Sequence, residues 1–301
     1  MQIFDSALCL NRKIAAINNY AWAVTIKNPP LRWLRSDSEF PPIDQAWGLD
    51  SVAPGLLCAG GDLSVASLLR AYQHSVFPWF GSNQPILWWC PDPRMVLKVA
   101  DFQFHSSLKK KLRKFIHSAD CEIRVDSAFE DVILGCANIE RSGSSGTWIV
   151  PEMVQAYCEF HHAGFAHSVE TWVRGQLVGG LYFVAIGEAV FGESMFHRAT
   201  DGSKIALAAL ACMCKYFNIV QIDCQQSTRH LVSFGAKGLP REEFAQQVRR
   251  LADLPGPDWH FCRTHWGEIA IKHAEQRLLH GSAEGGADVL RHTKNLQHRS
   301  G

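Results

Sequence analysis

The chain contains 301 residues, of which 47% are hydrophobic and 20% are charged, and its formal net charge at pH 7 is +1. This composition excludes a chain that is disordered throughout and provides enough apolar residues for one large or two smaller cores. Because the net charge is close to zero, binding of a nucleic acid has to depend on a local basic patch.

The ten cysteines show no repeated metal-ligand spacing, and the closest pair, Cys212 and Cys214, falls in a helical pattern that points the two thiols in different directions. We therefore expect reduced thiols, no metal and no other cofactor. The apolar stretch at residues 14–26 is interrupted by two asparagines, so neither a membrane span nor a signal peptide is expected. These features indicate a cytoplasmic protein, which we expect to be a monomer.

The first 38 residues are weakly patterned, and the first predicted helix lies beyond them. It begins after the N-cap Ser64 and ends near His74, with Leu63 and Leu68 as a hydrophobic staple. Proline-containing loops follow, with three tryptophans within eleven positions. Their rings form either a packed aromatic corner or the wall of a substrate site. These tryptophans are Trp79, Trp88 and Trp89.

The next predicted helix, from His105 to His117, has an apolar stripe and a face with five cations and no acid. Such a face is either solvated or in contact with a phosphate backbone. Because five cations without a partner repel one another, we keep the phosphate contact as a hypothesis. The apolar stripe consists of Leu108, Leu112, Phe115 and Ile116. The candidate phosphate contacts are Lys109, Lys110, Lys111, Arg113 and Lys114.

Two more helices are predicted on either side of a Gly- and Ser-rich break at residues 142–146, which is a candidate mobile loop or domain boundary. Asp126 is predicted to cap the first helix, which should bury Phe129 and Val132. The second helix has Pro151 in its first turn and ends at Gly164.

The stretch from Leu177 to Gln225 is predicted to form two strands joined as a hairpin, then a helix and a third strand. Glu193, Asp223 and Gln225 lie within these strands beside apolar residues, where an unpaired polar group costs roughly a few kcal/mol. Asp223 and Gln225 should share one strand face, with Ile222 on the other, because side chains alternate along a strand. The two polar residues are either a catalytic pair or ordinary polar residues of a strand end, with Asp223 as a cap.

A dozen short motifs between about Phe40 and Arg249 together resemble the leucyl/phenylalanyl-tRNA–protein transferase family. In chain order the motifs are Phe40–Pro42, Gly60–Ser64, Leu68–Tyr72, Phe77–Phe80, Pro85–Arg94, Gly146–Ile149, Ala166–Glu170, Leu177–Gly180, Gly192–Phe196, Ser203–Lys204, Ile222–Gln225 and Ser233–Ala236. The resemblance implies transfer of Leu or Phe, with Met as a further candidate, from aminoacyl-tRNA to the N-terminal Arg or Lys of proteins. The transferred residue marks the protein for degradation.

The resemblance also implies an α/β (α+β) fold, in which a small N-terminal α/β domain precedes a mixed-sheet domain similar to acetyltransferases of the GNAT type. The predicted β-β-α-β order agrees with it independently. We divide the chain into an extension (residues 1–38), the N-terminal domain (39–100), the catalytic domain (101–252) and a C-terminal tail (253–301).

By the same resemblance Asp223, Gln225 and Glu193 belong to the reacting centre. Asp223 would accept a hydrogen bond from the incoming amine, together with its proton unless the ribose 2′-hydroxyl shares that step, and Gln225 would orient the amine or the ester. Glu193 would contact either the basic side chain or the ammonium of the acceptor. An apolar slot for the amino acid is expected from Trp79, Trp148, Leu181, Met195 and Ile222.

Three alternatives remain at this stage. An acetyl-CoA-dependent N-acetyltransferase would share the fold but needs a pyrophosphate-binding turn, of which residues 198–204 keep only a remnant. A peptidoglycan transferase that uses aminoacyl-tRNA usually contains two acetyltransferase-like units, and this chain has room for one. A tRNA-binding module without enzymatic activity would not need Glu193, Asp223 and Gln225 inside apolar strands.

Overall fold

A computed structural model of the chain describes residues 30–138 and 149–267. The described residues up to Phe261 belong to one compact unit, and those from Cys262 belong to a second unit, with a short 3-10 helix at Arg263–Trp266. The Gly/Ser break, Trp148, and most of the predicted extension and tail lie outside the described residues. Within residues 30–138 and 149–267, no helix has the length and apolar character that crossing a membrane requires.

The first unit contains seven α-helices among its described residues. In chain order they are α1 (Val65–Gln73), α2 (Ser106–His117), α3 (Phe129–Ala137), α4 (Pro151–His162), α5 (Gly202–Tyr216), α6 (Arg229–Ser233) and α7 (Arg241–Ala252). The predicted N-cap of α1 is confirmed, because the Ser64 side chain accepts a hydrogen bond from the Ser67 N–H. Pro151 occupies the first turn of α4, as expected from its fixed φ and missing donor.

A smaller sheet is built from the N-terminal part of the chain. Its strands are β1 (Arg32–Leu34), β2 (Leu56–Gly60), β3 (Phe77–Pro78) and β4 (Leu87–Trp89), in the order β1-β2-β4-β3. Two expectations were wrong here: β1 lies within the weakly patterned first 38 residues, and β3 and β4 replace predicted loops. These strands are two or three residues long, too short for a periodicity to appear in the sequence.

A seven-stranded sheet forms the larger part of the unit. Its strands are β5 (Arg94–Lys98), β6 (Cys121–Val125), β7 (Ala166–Val173), β8 (Gln176–Ile186), β9 (Ala189–His197), β10 (Gln221–Gln225) and β11 (Lys237–Leu239). The order is β11-β5-β10-β9-β8-β7-β6, and every neighbouring pair is antiparallel except β9 and β10. The hairpin β8–β9, helix α5 and strand β10 confirm the predicted β-β-α-β order. The small sheet followed by a larger mixed sheet confirms the expected α/β class.

The parallel pair β9–β10 is short, and its end creates the space for a site. Its register contains only the pairs Val190–Ile222 and Phe191–Asp223, whereas β9 continues to His197. On its other edge β10 pairs with β5, and that register shifts between Asp223 and Gln225. Gln225 has a φ of 59°, a left-handed conformation that is uncommon for a residue with a side chain.

The predicted cap of α3 was wrong. Its N-cap is Ala128, whose N–H donates to the carboxylate of the buried Glu170 at 2.8 Å. Asp126 has a φ of 57° and instead accepts a hydrogen bond from the Ser168 N–H at 2.7 Å. The expected burial of Phe129 and Val132 is confirmed. A carboxylate from a distant strand therefore holds the residue at which α3 begins, and the first turn has no side-chain cap.

Candidate active site

A cavity of about 540 Å³ opens where the β9–β10 pair ends. The predicted site residues that line it are Trp79, Leu181, Glu193, Met195, Ile222, Asp223 and Gln225. The three catalytic candidates and four of the five slot candidates thus face one space, and the fifth, Trp148, is outside the described residues. Among the lining residues that the sequence did not indicate, Leu207 and Leu210 are three apart on α5. That spacing indicates a buried helix face but not whether it faces protein or a ligand.

Asp223 is held by a buried arginine. Arg94 donates from Nε to Asp223 Oδ1 at 2.8 Å and from Nη2 to Oδ2 at 2.6 Å, and the two side chains are 0% and 1% exposed. Arg94 also donates to the Ser75 carbonyl at 3.0 Å and lies 4.7 Å from the ring centroids of Phe77 and Phe244. This arginine was missed by sequence reasoning, although a cation at the start of an apolar strand was a usable signal.

The irregular end of β10 determines where its side chains point. The Gln225 N–H donates to Asp223 Oδ1 at 2.8 Å, and Gln225 Nε2 donates to Glu193 Oε1 at 2.9 Å. Ile222 lines the same cavity as both residues. The register shift lies between Asp223 and Gln225, so the period of two on which their shared face was predicted is broken at that point.

Glu193 is partly buried and lies at the centre of a group of hydroxyl and amide donors. Tyr72 donates to its Oε1 at 2.7 Å, and the Tyr157 hydroxyl lies 3.4 Å from its Oε2. Burial raises the pKa of Glu193 from 4.5 to about 7, and the hydrogen bonds from Tyr72 and Gln225 oppose that shift. A carboxylate that titrates near neutral pH is suited to exchange a proton with an amine.

Tyr72 and Tyr157 form a buried pair beside Glu193. Their hydroxyl oxygens are 2.5 Å apart, and both residues are 0% exposed. Burial and the nearby Glu193 raise the pKa of each phenol well above 10, so both hydroxyls keep their protons at neutral pH. Sequence reasoning missed both residues, because a tyrosine in an amphipathic helix resembles ordinary core.

The basic face of α2 is exposed as expected, except that Lys109 is partly buried. One expectation was wrong: Lys111 is not without a partner, since its ammonium pairs with Asp201 just before α5. Asp201 also accepts a hydrogen bond from Lys204 at 2.8 Å. Asp201 therefore connects the basic helix with the first turn of α5, whose later residues Leu207 and Leu210 line the cavity.

Comparison with known proteins gives consistent results along most of the chain. A family model described as leucyl/phenylalanyl-tRNA protein transferase matches residues 96–249, and the model of that family's N-terminal domain matches residues 61–92. A leucyl/phenylalanyl-tRNA–protein transferase of Albidiferax ferrireducens is 55% identical over 241 residues, covering 80% of this chain and 95% of the relative. The Polaromonas sp. protein of the same name is 53% identical over 240 residues, covering 80% and 94%. That of Leptothrix cholodnii is 55% identical over 241 residues, covering 79% and 94%.

Proposed function

Because the chain belongs to the leucyl/phenylalanyl-tRNA–protein transferase family, we propose that its cavity is where the aminoacyl ester meets the amine of the acceptor protein. The protein is an aminoacyltransferase that moves an amino acid from aminoacyl-tRNA to proteins. The observation that supports the cavity as its site is the meeting of an apolar wall with the Glu193 carboxylate in one space. The proposed acceptor is an N-terminal Arg or Lys.

The apolar part of the cavity fits the side chain of the transferred amino acid. Leu181, Met195 and Ile222, together with Leu207 and Leu210 of α5, offer surface but no hydrogen bond to a guest. Burying a Leu or Phe side chain is worth roughly 1.5–3 kcal/mol. Met195 is flexible enough to contact either a branched or a planar group. Donors with Leu, Phe or Met are therefore the proposed substrates.

The polar part of the cavity supplies what aminolysis of an ester needs. The ester is already activated, so the protein has to hold the amine against the carbonyl carbon and remove a proton. In the proposed arrangement Gln225 orients the reacting groups. Asp223 fixes the backbone of Gln225 by accepting a hydrogen bond from the Gln225 N–H. Glu193 is the negative group that the incoming ammonium meets.

The tRNA is proposed to contact the basic face of α2 through its phosphates. Lys109, Lys110, Arg113 and Lys114 would supply these contacts, together with Lys111 when Asp201 releases it. A monomer is the proposed oligomeric state. Charged tRNA is found in the cytoplasm, which is therefore the proposed location.

A transfer assay with separate donors tests this proposal. Phe-tRNA, Leu-tRNA and acetyl-CoA are each supplied with a peptide that begins with Arg, and the same peptide with an acetylated N-terminus is the control. We expect transfer from both tRNAs to the free peptide and none from acetyl-CoA. Transfer from acetyl-CoA alone would support the N-acetyltransferase instead, and equal transfer from Ala-tRNA would contradict the apolar slot.

A further inference from the structure

We infer that Glu193, and not Asp223, accepts the proton of the incoming α-ammonium, and that Tyr72 is the residue that positions Glu193 for this step. The inference rests on the proposed function and assigns the roles within its reacting centre. It follows from counting which acceptor atoms of the two carboxylates are already used.

Three of the four acceptor positions of the Asp223 carboxylate are occupied. Arg94 takes both carboxylate oxygens in a two-point contact, and the Gln225 N–H donates to Oδ1 as well. Asp223 is 1% exposed and its counter-ion is completely buried. A proton transferred to this carboxylate would break its buried ion pair and leave Arg94 without a counter-ion, which is costly.

Glu193 has one acceptor oxygen in use and one open. Oε1 accepts from Tyr72 at 2.7 Å and from Gln225 Nε2 at 2.9 Å. A tyrosine hydroxyl has a single proton, and Tyr72 uses its proton on Oε1. In the 2.5 Å contact between the two tyrosines Tyr157 is therefore the donor, and its proton is not available to Oε2 at 3.4 Å. Among the described residues Oε2 is left for the substrate.

The titration of Glu193 fits this role. Its pKa of about 7 is close to that of a peptide α-amine, about 7.7–8.0, so a proton passes between them with little change in free energy. The groups that face Glu193 are Tyr72 of α1, Tyr157 of α4, Gln225 and Asp223 of β10, and Arg94 of β5. Asp223 and Arg94 neutralise each other at contact distance.

The proposed step balances in protons and bonds. The α-ammonium donates one proton to Glu193 Oε2, and the free amine attacks the carbonyl carbon of the ester. The new C–N bond forms, the bond from that carbon to the ribose oxygen breaks, and the second proton of the amine passes to this oxygen. Glu193 returns its proton to solvent after the products leave.

Tyr72 links this chemistry to the N-terminal part of the chain. It belongs to α1, which packs beside the smaller sheet, whereas Glu193 belongs to β9 of the larger sheet. By holding Oε1, Tyr72 fixes the rotation of the carboxylate and leaves Oε2 as the oxygen for the substrate. Tyr72 is thus a positioning residue, because it acts through Glu193 and not on the substrate.

The test is the pH dependence of kcat/KM for Phe-tRNA and a peptide that begins with Arg, measured from initial rates between pH 6 and 8.5. Glu193→Gln should lower kcat/KM by about 100-fold or more at pH 7, as expected for a lost general base. The loss should shrink to about tenfold at pH 8.5, because most of the peptide amine is then already unprotonated. Asp223→Asn should lower the rate but keep an acidic limb, which should move to lower pH because Arg94 then acts on Glu193 without its counter-ion.

Tyr72→Phe removes one donor that stabilises the charged form of Glu193, so the acidic limb of the profile should move to higher pH by about one unit. Tyr216→Phe, at an exposed tyrosine that does not line the cavity, is the matched control and should leave the profile unchanged. A purely structural role for Tyr72 would lower the rate equally at every pH.

Three outcomes would overturn the inference. The first is near-normal turnover of Glu193→Gln at pH 7, and the second is a loss of kcat/KM in Glu193→Gln that is the same at every pH. The third is a pH-dependent loss of kcat/KM in Asp223→Asn but not in Glu193→Gln. If Asp223→Asn does not fold, the Glu193→Gln and Tyr72→Phe profiles decide alone. Failure of the proposed function is a separate result, since the wild-type protein would then transfer nothing from Phe-tRNA.

Discussion

Arg94→Met should destabilise the fold by about 3–5 kcal/mol, because it leaves the Asp223 carboxylate buried without a cation. Three hydrogen bonds of the guanidinium are lost, two to Asp223 and one to the Ser75 carbonyl. Its contacts with the rings of Phe77 and Phe244, at 4.7 Å, are lost as well. For a unit of this size, each kcal/mol lowers Tm by about 2–4 °C, so a fall of roughly 6–20 °C is expected.

The cause can be separated from general damage to the core by a double-mutant cycle in urea unfolding. Asp223→Asn removes the charge that Arg94 neutralises, and the variant with both substitutions no longer contains a buried unpaired ion. The double variant should therefore be more stable than the sum of the single effects predicts, by about 1–3 kcal/mol.

Arg174→Met is the control for loss of an ordinary ion pair. Arg174 contacts Asp120 at 3.3 Å, and the two side chains are 81% and 59% exposed. Its loss should change stability by at most about 0.5 kcal/mol. An Arg94→Met protein as stable as Arg174→Met, or a cycle in which the two effects simply add, would refute the account of a buried and coupled pair.

Three further substitutions test the slot, the basic helix and the packing of the sheet. Met195→Ala should weaken transition-state binding by about 1–3 kcal/mol for both Phe-tRNA and Leu-tRNA, measured as kcat/KM, because it removes apolar contact from the slot. A triple Lys→Gln variant of α2, at Lys109, Lys110 and Lys114, should raise the KM for aminoacyl-tRNA. It should also lower the salt dependence of tRNA binding by about one unit of slope per lost phosphate contact. Gly179→Ala should lower stability in urea unfolding by about 1–3 kcal/mol, since its Cβ would lie 2.6 Å from the Gly202 carbonyl carbon.

Each of these variants has a matched control. For Met195→Ala the KM of the peptide should stay constant, and a loss confined to one of the two donors would contradict a shared slot. For the triple variant the control is Lys237→Gln, which removes a cation paired with Asp101. Equal salt slopes in the two variants would indicate that the tRNA binds a surface other than α2. For Gly179→Ala the control is Gly48→Ala, where no atom of the described residues lies within 4 Å of an added Cβ.

The elements that could be predicted from sequence are those specified by neighbouring residues. Ser64 and Pro151 mark helix starts because capping depends on three or four consecutive residues. The turn between β8 and β9 was predicted because a two-residue connection containing Gly is a local signal. The division of the chain at residues 38, 100 and 252 stays a prediction.

The parts that were missed depend on contacts between distant residues. Arg94 reaches Asp223 across 129 positions, and Tyr72 reaches Glu193 across 121. No spacing rule connects such pairs, and each partner alone resembles a core or loop residue. The contact of Glu170 with the N-cap residue of α3 is a similar case, in which Asp126 was the better local candidate for a cap. The catalytic candidates stay predictions, since their shared cavity is consistent with their roles but does not test them.

The place of β5 in the large sheet has a consequence for how the protein is made. Residues 94–98 leave the ribosome early, yet their neighbours on both sides, β10 and β11, are synthesised more than a hundred residues later. Until Gln225 has emerged, β5 offers two unpaired edges on which other nascent chains can add a strand, and one edge stays unpaired until Leu239 has emerged. The reacting centre is therefore among the last parts to assemble, and slower translation before Leu239 emerges should increase aggregation of incomplete chains.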